Sequence, residues 1–163
     1  MLRTAIITLS DKGSRGERAD ESGKVIREMI VASGGRVDHY EVLPDEEARI
    51  ADTLARLADS GAFELIVTTG GTGVSPRDVT PEATRRVLDR ELPGMAEAMR
   101  AESMKKTPNA MISRAIAGVR KRTLILNLPG SPRAARENLA VVLPAVPHAV
   151  LKIAGDPSDC AAS

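Results

Sequence analysis

The chain has 163 residues, 42% of them hydrophobic, which is enough to build one sizeable core and leaves no room for a second ordinary domain. With 23 basic against 22 acidic residues its formal charge is only +1, so the chain as a whole is not steered onto nucleic acid or anionic membrane. A single cysteine, Cys160, excludes a disulfide framework and a cysteine zinc site, and a single Phe and a single Tyr exclude the stacking platforms of single-strand nucleic-acid binders.

The first apolar run, Ala5-Ile6-Ile7-Thr8-Leu9, turns polar at Ser10-Asp11, too soon for a signal peptide. No run approaches the roughly 20 residues of a membrane span, so a cytoplasmic protein is expected. Asp20-Glu21-Ser22 then opens a helix whose Val25, Ile26, Met29 and Ile30 recur at helical spacing and which closes at Gly34-Gly35. Residues 36–43 alternate weakly and predict a peripheral strand. A second helix follows Pro44-Asp45, carries Ile50, Leu54, Leu57 and Ala58 on one face, and ends at Gly61. Residues 65–68 form the next apolar run. Thr80-Pro81-Glu82 predicts a helix start with Thr80 as N-cap and Pro81 in the first helical position, continuing over 83–88. Pro93-Gly94 opens another helix through Met95 and Met99. Residues 123–126 are the last apolar run, and Ser131-Pro132 repeats the cap-plus-proline signal ahead of a helix over 134–143. Residues 155–163 read as a frayed tail.

None of the three apolar runs alternates, which suits strands buried on both faces of a parallel sheet. Strands alternating with helices predict a single domain over 1–163, a three-layer α/β/α sandwich with a mostly parallel central sheet. In such a sheet, ligands bind beyond the carboxyl ends of the strands. Three segments in that position combine glycines with hydroxyls: Ser10-Asp11-Lys12-Gly13, Thr69-Gly70-Gly71-Thr72-Gly73 and Pro129-Gly130-Ser131-Pro132. Glycine lets backbone N–H groups approach a ligand, and each segment ends near a helix N-terminus, where free N–H groups favour phosphate. A single loop of this kind is common for steric reasons, whereas three at one sheet edge point to a phosphate-bearing ligand. The glycines match neither a P-loop nor the dinucleotide fingerprint, which disfavours a standard NTPase or dehydrogenase.

Asp78 lies between the glycine cluster and the next helix, where it either holds Mg²⁺ beside phosphates or caps the turn before Thr80. Asp45, after Pro44, reads more strongly still as a helix N-cap, and the residues alone say little of its function. Arg77 and Arg114, and less so Lys12 and Arg15, are candidate phosphate partners. His39 and His148 have no triad-like company and read as structural. Met95, Met99, Met104 and Met111 are placed for core packing or a subunit contact.

The runs Thr68-Thr69-Gly70-Gly71-Thr72-Gly73, Arg77-Asp78-Val79-Thr80-Pro81-Glu82, Glu91-Leu92-Pro93-Gly94-Met95-Ala96-Glu97, Ser113-Arg114-Ala115 and Asn127-Leu128-Pro129-Gly130-Ser131-Pro132 stand in one order along nearly the whole chain. Together they resemble the molybdopterin adenylyltransferases. The resemblance implies a molybdopterin-binding fold, usually a homotrimer, that joins AMP from Mg·ATP to molybdopterin and releases pyrophosphate for a downstream molybdenum insertase. By it Asp45 and Asp78 match the essential aspartates and candidate Mg²⁺ ligands. Thr69, Gly70, Gly71, Thr72 and Gly73 match the ligand loop, Ser10 and Asp11 the first-strand loop, and Pro129, Gly130 and Ser131 the last one. Glu97, Ser113 and Arg114 match motif positions lining the site. Some relatives bind the pterin with an altered loop at Arg77-Asp78-Val79-Thr80-Pro81 and no clear transferase role; here that loop is intact. The stretch 138–148 is shorter than in relatives that carry an insertion before the final helix. The rival readings are a molybdopterin carrier without transferase activity and a nucleotide hydrolase on the same fold. Molybdenum or tungsten use stays open.

Overall fold

The computed structural model describes residues 1–158; the end of the expected tail, 159–163, lies outside the described residues. β1 (Arg3–Leu9), β2 (Arg36–Leu43), β3 (Leu65–Thr69) and β6 (Thr123–Leu128) run parallel. β5 (Ala117–Arg120) runs antiparallel between β6 and the two-residue β4 (Arg90–Glu91). These six strands form one sheet in the order β2-β1-β3-β6-β5-β4. β3 and β6 are buried throughout and β1 nearly so, as their unbroken apolar runs require. β2 lies at one edge, where one row of side chains meets solvent, and its burial alternates accordingly.

A single helical turn, α1 (Asp11–Ser14), follows β1 at once. Two apolar layers flank the sheet. Ile6, Val67, Leu124 and Leu126 face the helices α2 (Glu21–Ala32), α5 (Pro93–Met104), α6 (Pro132–Val142) and α7 (Val146–Ile153). Ile7, Leu9, Ile66 and Ile125 face α3 (Glu47–Asp59) and α4 (Thr80–Val87). The architecture is the expected α/β/α sandwich. β4 and β5 were not expected: they are short, and β5 is set against β6 by a hairpin at Lys121, held at a φ of 50° while its N–H donates to Asp89, just before β4, over 2.6 Å.

Two expected caps are not caps. α3 begins with Glu46 at its cap position and no side-chain cap, because the Asp45 carboxylate instead accepts the Asp11 N–H. α4 begins at Thr80, with Val79 at the cap position, because the Thr80 hydroxyl donates to the Gly70 carbonyl over 2.9 Å. Asp20 and Ser131 do cap, accepting the N–H groups of Gly23 and Ala134. Met99 is 1% exposed in the core, and Met95 is partly buried and packs against that core. Met104 and Met111 remain exposed. After Gly155 the chain turns back so that Lys152 meets Asp156 and Ser158.

Candidate functional site

β1 leads through α2 on one face to β2, and β2 returns through α3 on the other face to β3. The strand order therefore reverses between β1 and β3, and a crevice opens beyond their carboxyl ends. Ser10 and Gly70 stand on its two sides, and the Gly70 N–H donates to the Leu128 carbonyl, which draws the end of β6 alongside. The result is a cleft of about 630 Å³ lined by Ser10, Asp45, Thr69, Gly70, Gly71, Asp78, Gly130 and Ser131, with residues from the start of α2.

The glycines are required by close approach. A Cβ on Gly70 (φ 101°) would lie 2.3 Å from the Leu9 carbonyl. One on Gly71 (φ 64°) would lie 2.3 Å from the Thr80 hydroxyl and 3.1 Å from Asp45 Oδ1, and one on Gly73 would lie 2.8 Å from Asp78 Oδ2. Both aspartates thus abut the glycine loop. The Thr69 hydroxyl donates to the Pro129 carbonyl over 2.7 Å and ties that loop to the one after β6. Beneath it the buried Asn127 amide donates to the Thr68 and Thr84 hydroxyls, each at 3.0 Å, locking β6, β3 and α4 together.

Asp45 and Asp11 form a reciprocal pair: each carboxylate accepts the other residue's backbone N–H, at 3.1 and 3.0 Å. Arg77 donates two hydrogen bonds to Asp11, at 3.0 and 2.8 Å. The Arg77 guanidinium, with the Asp45 N–H, holds Asp11 below the ordinary carboxylate range. Asp45 goes the other way, pushed up by burial and then by the fields of Asp11 and Asp78, although the Asp11 N–H and Arg77 oppose the shift. An arrangement in which one half-buried carboxylate is destabilised by two others favours a cation. Asp78 Oδ2 also accepts the Ser75 N–H over 2.9 Å, so it does close the turn, with its other oxygen uncommitted among the described hydrogen bonds.

Arg114 is engaged internally. Its guanidinium donates to the carbonyls of Gly73 and Asp78, at 2.6 and 2.7 Å, and pairs with Glu82, while its backbone N–H donates to the Thr72 carbonyl. It braces the loop that carries Asp78. Thr72, Gly73, Ser113 and Pro129 line a second, less polar cavity of about 270 Å³ with Arg100, Ile112 and Asn138, so residues 71–73 form the boundary between the two. Glu97 is exposed on α5 and lines neither cavity. Sequence reasoning missed Thr8, Arg18, Asp20 and Ser22 in the larger cleft; Asp20-Glu21-Ser22 was legible only as a helix start.

Residues 5–148 match the family model described as a probable molybdopterin binding domain. The molybdopterin adenylyltransferase of Helicobacter pylori strain J99 is 42% identical over 157 residues, covering 95% of this chain and 89% of that protein. This chain belongs to the molybdopterin adenylyltransferase family. The Escherichia coli K12 member is 41% identical over 140 residues, covering 85% of this chain and 72% of its own length. Among solved structures, the molybdopterin biosynthesis enzyme MoaB of Thermus thermophilus superposes with a TM-score of 0.90 at 53% identity, covering 98% of this chain and 100% of that one.

Proposed function

We propose that the chain is a nucleotidyltransferase that moves AMP from ATP onto the terminal phosphate of molybdopterin and releases pyrophosphate. The observation that carries this reading is the convergence of three glycine-and-hydroxyl loops and two aspartates on one cleft, in a chain 42% identical to a molybdopterin adenylyltransferase over 95% of its length. The larger, polar cleft suits the nucleotide. The smaller cavity, with Ala110, Ile112, Pro129 and Ala134 beside Ser113 and Asn138, suits a flat heterocycle held against aliphatic groups. The reacting phosphates then meet at the shared boundary, residues 71–73.

A phosphate oxygen of molybdopterin attacks the α-phosphorus of ATP. A P–O bond forms there, the bond from the α-phosphorus to the β-bridging oxygen breaks, and pyrophosphate leaves with the electron pair. The attacking oxygen is already ionised, so neither a general base nor a covalent nucleophile is required. The protein's task is to align two anions and offset their repulsion. Backbone N–H groups of the glycine loop and the N-terminus of α6 act on the phosphates, and Arg114 keeps the Asp78 loop in place.

Asp45 and Asp78 are the residues that would hold Mg²⁺. The donor set fits, because Asp45 is raised beside two other carboxylates and Asp78 abuts the same loop. No group of three His, Cys, Asp or Glu side chains is assembled to hold a metal among the described residues. When bound, an ion held by Asp45 and Asp78 would supply positive charge to offset the repulsion between the two anionic substrates.

A cytoplasmic homotrimer that hands its product to the molybdenum insertase completes the reading. No helix among the described residues is long and apolar enough to cross a membrane. Met104, Met111 and Ile112 are exposed at the end of α5 and in the region following it, and supply an apolar surface for a neighbouring subunit. A monomer mass by light scattering at micromolar concentration would overturn the trimer. For the activity, purified protein is mixed with molybdopterin, Mg²⁺ and ATP. Mass spectrometry is expected to find the AMP adduct, with pyrophosphate released only when both substrates are present. Molybdopterin binding without pyrophosphate release would leave a carrier, and pyrophosphate or phosphate release without the pterin would leave a hydrolase.

A further inference from the structure

The wall of the larger cleft holds one carboxylate with all its acceptor positions engaged and no cation among its described partners. Asp20 Oδ2 accepts the Thr8 hydroxyl over 2.6 Å and also the Tyr40 phenol. Asp20 Oδ1 accepts the Ser22 hydroxyl over 3.1 Å and the Gly23 N–H over 2.9 Å. The four donors come from β1, from edge strand β2 and from the first turn of α2. A Cβ on Gly23 would lie 2.1 Å from Asp20 Oδ2, 2.8 Å from Tyr40 Cε2 and 2.9 Å from the Thr8 hydroxyl, so the cluster closes over a position that only hydrogen can fill. Burial pushes Asp20 up, yet the hydrogen bonds outweigh it and hold the carboxyl below its ordinary value. The Tyr40 phenol is pushed up to about 12 by burial and by Asp20.

Thr8, Asp20, Glu21 and Ser22 line the cleft, whereas Tyr40 does not. The first-turn N–H groups of a helix have no intrahelical partner and carry a partial positive charge. Asp20 caps only the one from Gly23. A carboxylate beside an incoming polyanion repels it unless donors spread its charge, and the same donors set where the first turn of α2 stands. We propose that Tyr40 and Thr8 are positioning residues for the nucleotide, saturating Asp20 so that the first turn of α2 is held at the cleft wall and its carboxylate is quenched toward the phosphates of ATP. The inference rests on the assignment of this cleft to ATP.

The test uses Tyr40→Phe and Thr8→Val, each of which removes one hydroxyl at nearly constant volume. The readouts are the Kd of ATP and of molybdopterin by separate titration, kcat and KM for AMP transfer, and Tm. Each variant is expected to raise the Kd and KM of ATP about tenfold, the scale of losing one hydrogen bond to a charged group, with kcat and the molybdopterin Kd within about twofold of wild type. The double variant should show less than the product of the two effects, because both act through Asp20. ATP affinity unchanged in both variants would overturn the proposal. So would a parallel loss of both affinities with a falling Tm, which is what a purely structural cap predicts. A wild-type protein that binds ATP but forms no adduct would sink the transferase reading alone, since the ATP titrations still decide the roles of Tyr40 and Thr8.

Discussion

Asparagine at position 45 keeps the volume of Asp45 and can still accept the Asp11 N–H, 3.1 Å away, so Asp45→Asn removes little besides charge. That charge is unfavourable in the resting protein, where burial and then the fields of Asp11 and Asp78 push Asp45 up. An acid whose folded pKa is raised holds its proton better folded than unfolded. Its contribution to stability is complete below the unfolded pKa and is lost as pH rises through the folded one. Above that folded pKa the loss falls on wild type and is absent in the variant. Asp45→Asn should therefore stabilise the protein, by about 1 kcal/mol on the scale seen when functional-site residues are replaced. For a chain of 163 residues, that corresponds to a rise of about 3 °C in Tm. The gain should shrink at acidic pH, as Asp45 takes up its proton in wild type as well. Transfer of AMP should fall by about 10² to 10³, or roughly 3 to 4 kcal/mol of transition-state stabilisation. Calorimetry at neutral and acidic pH and single-turnover formation of the adduct supply the two readouts. A variant that melts below wild type at neutral pH, or that transfers AMP at a near-normal rate, would refute the argument.

Asp78→Asn retains an acceptor for the Ser75 N–H, so molybdopterin binding should survive while transfer falls by about 10² to 10³; equal loss of both would mark the residue as structural. Arg77→Gln removes a positive field that lowers Asp45, so the acidic limb of kcat/KM should move to higher pH, and a limb moving lower would contradict the charge assignment. Asn127→Ala should cost about 2 to 4 kcal/mol in urea unfolding, because it leaves the Ile116 N–H and the buried Thr68 hydroxyl without their partner and takes a donor from Thr84, whose hydroxyl still donates to the Thr80 carbonyl; a loss below about 1 kcal/mol would mean that those groups find other partners. Gly71→Ala places a Cβ 2.3 Å from the Thr80 hydroxyl at a φ of 64°, so stability should drop along with ligand binding, by about 2 kcal/mol; an unchanged Tm would show that the loop can yield.

The parallel sheet was legible in the sequence because β1, β3 and β6 are buried on both faces and must be apolar at nearly every position. The same reasoning located the three loops of the cleft, since a strand run shows where its carboxyl end lies, and Asp20 and Ser131 were readable as helix starts because a cap bonds only three residues ahead. Asp45 and Thr80 carry equally good local signals, yet in the folded chain Asp45 accepts the N–H of a residue 34 positions away, and Thr80 donates to a carbonyl 10 positions away. Local propensity states what a side chain can do, and the reversal of strand order between β1 and β3 decides which partner reaches it first. Arg114 reads in sequence as a candidate phosphate partner, and only the fold surrounds it with the carbonyls of Gly73 and Asp78. The joining of Thr8, Asp20 and Tyr40 into one cluster had no sequence signal at all. Its donors sit on three elements, and hydrogen-bond geometry among separate elements is set by packing, to which no single segment's periodicity refers.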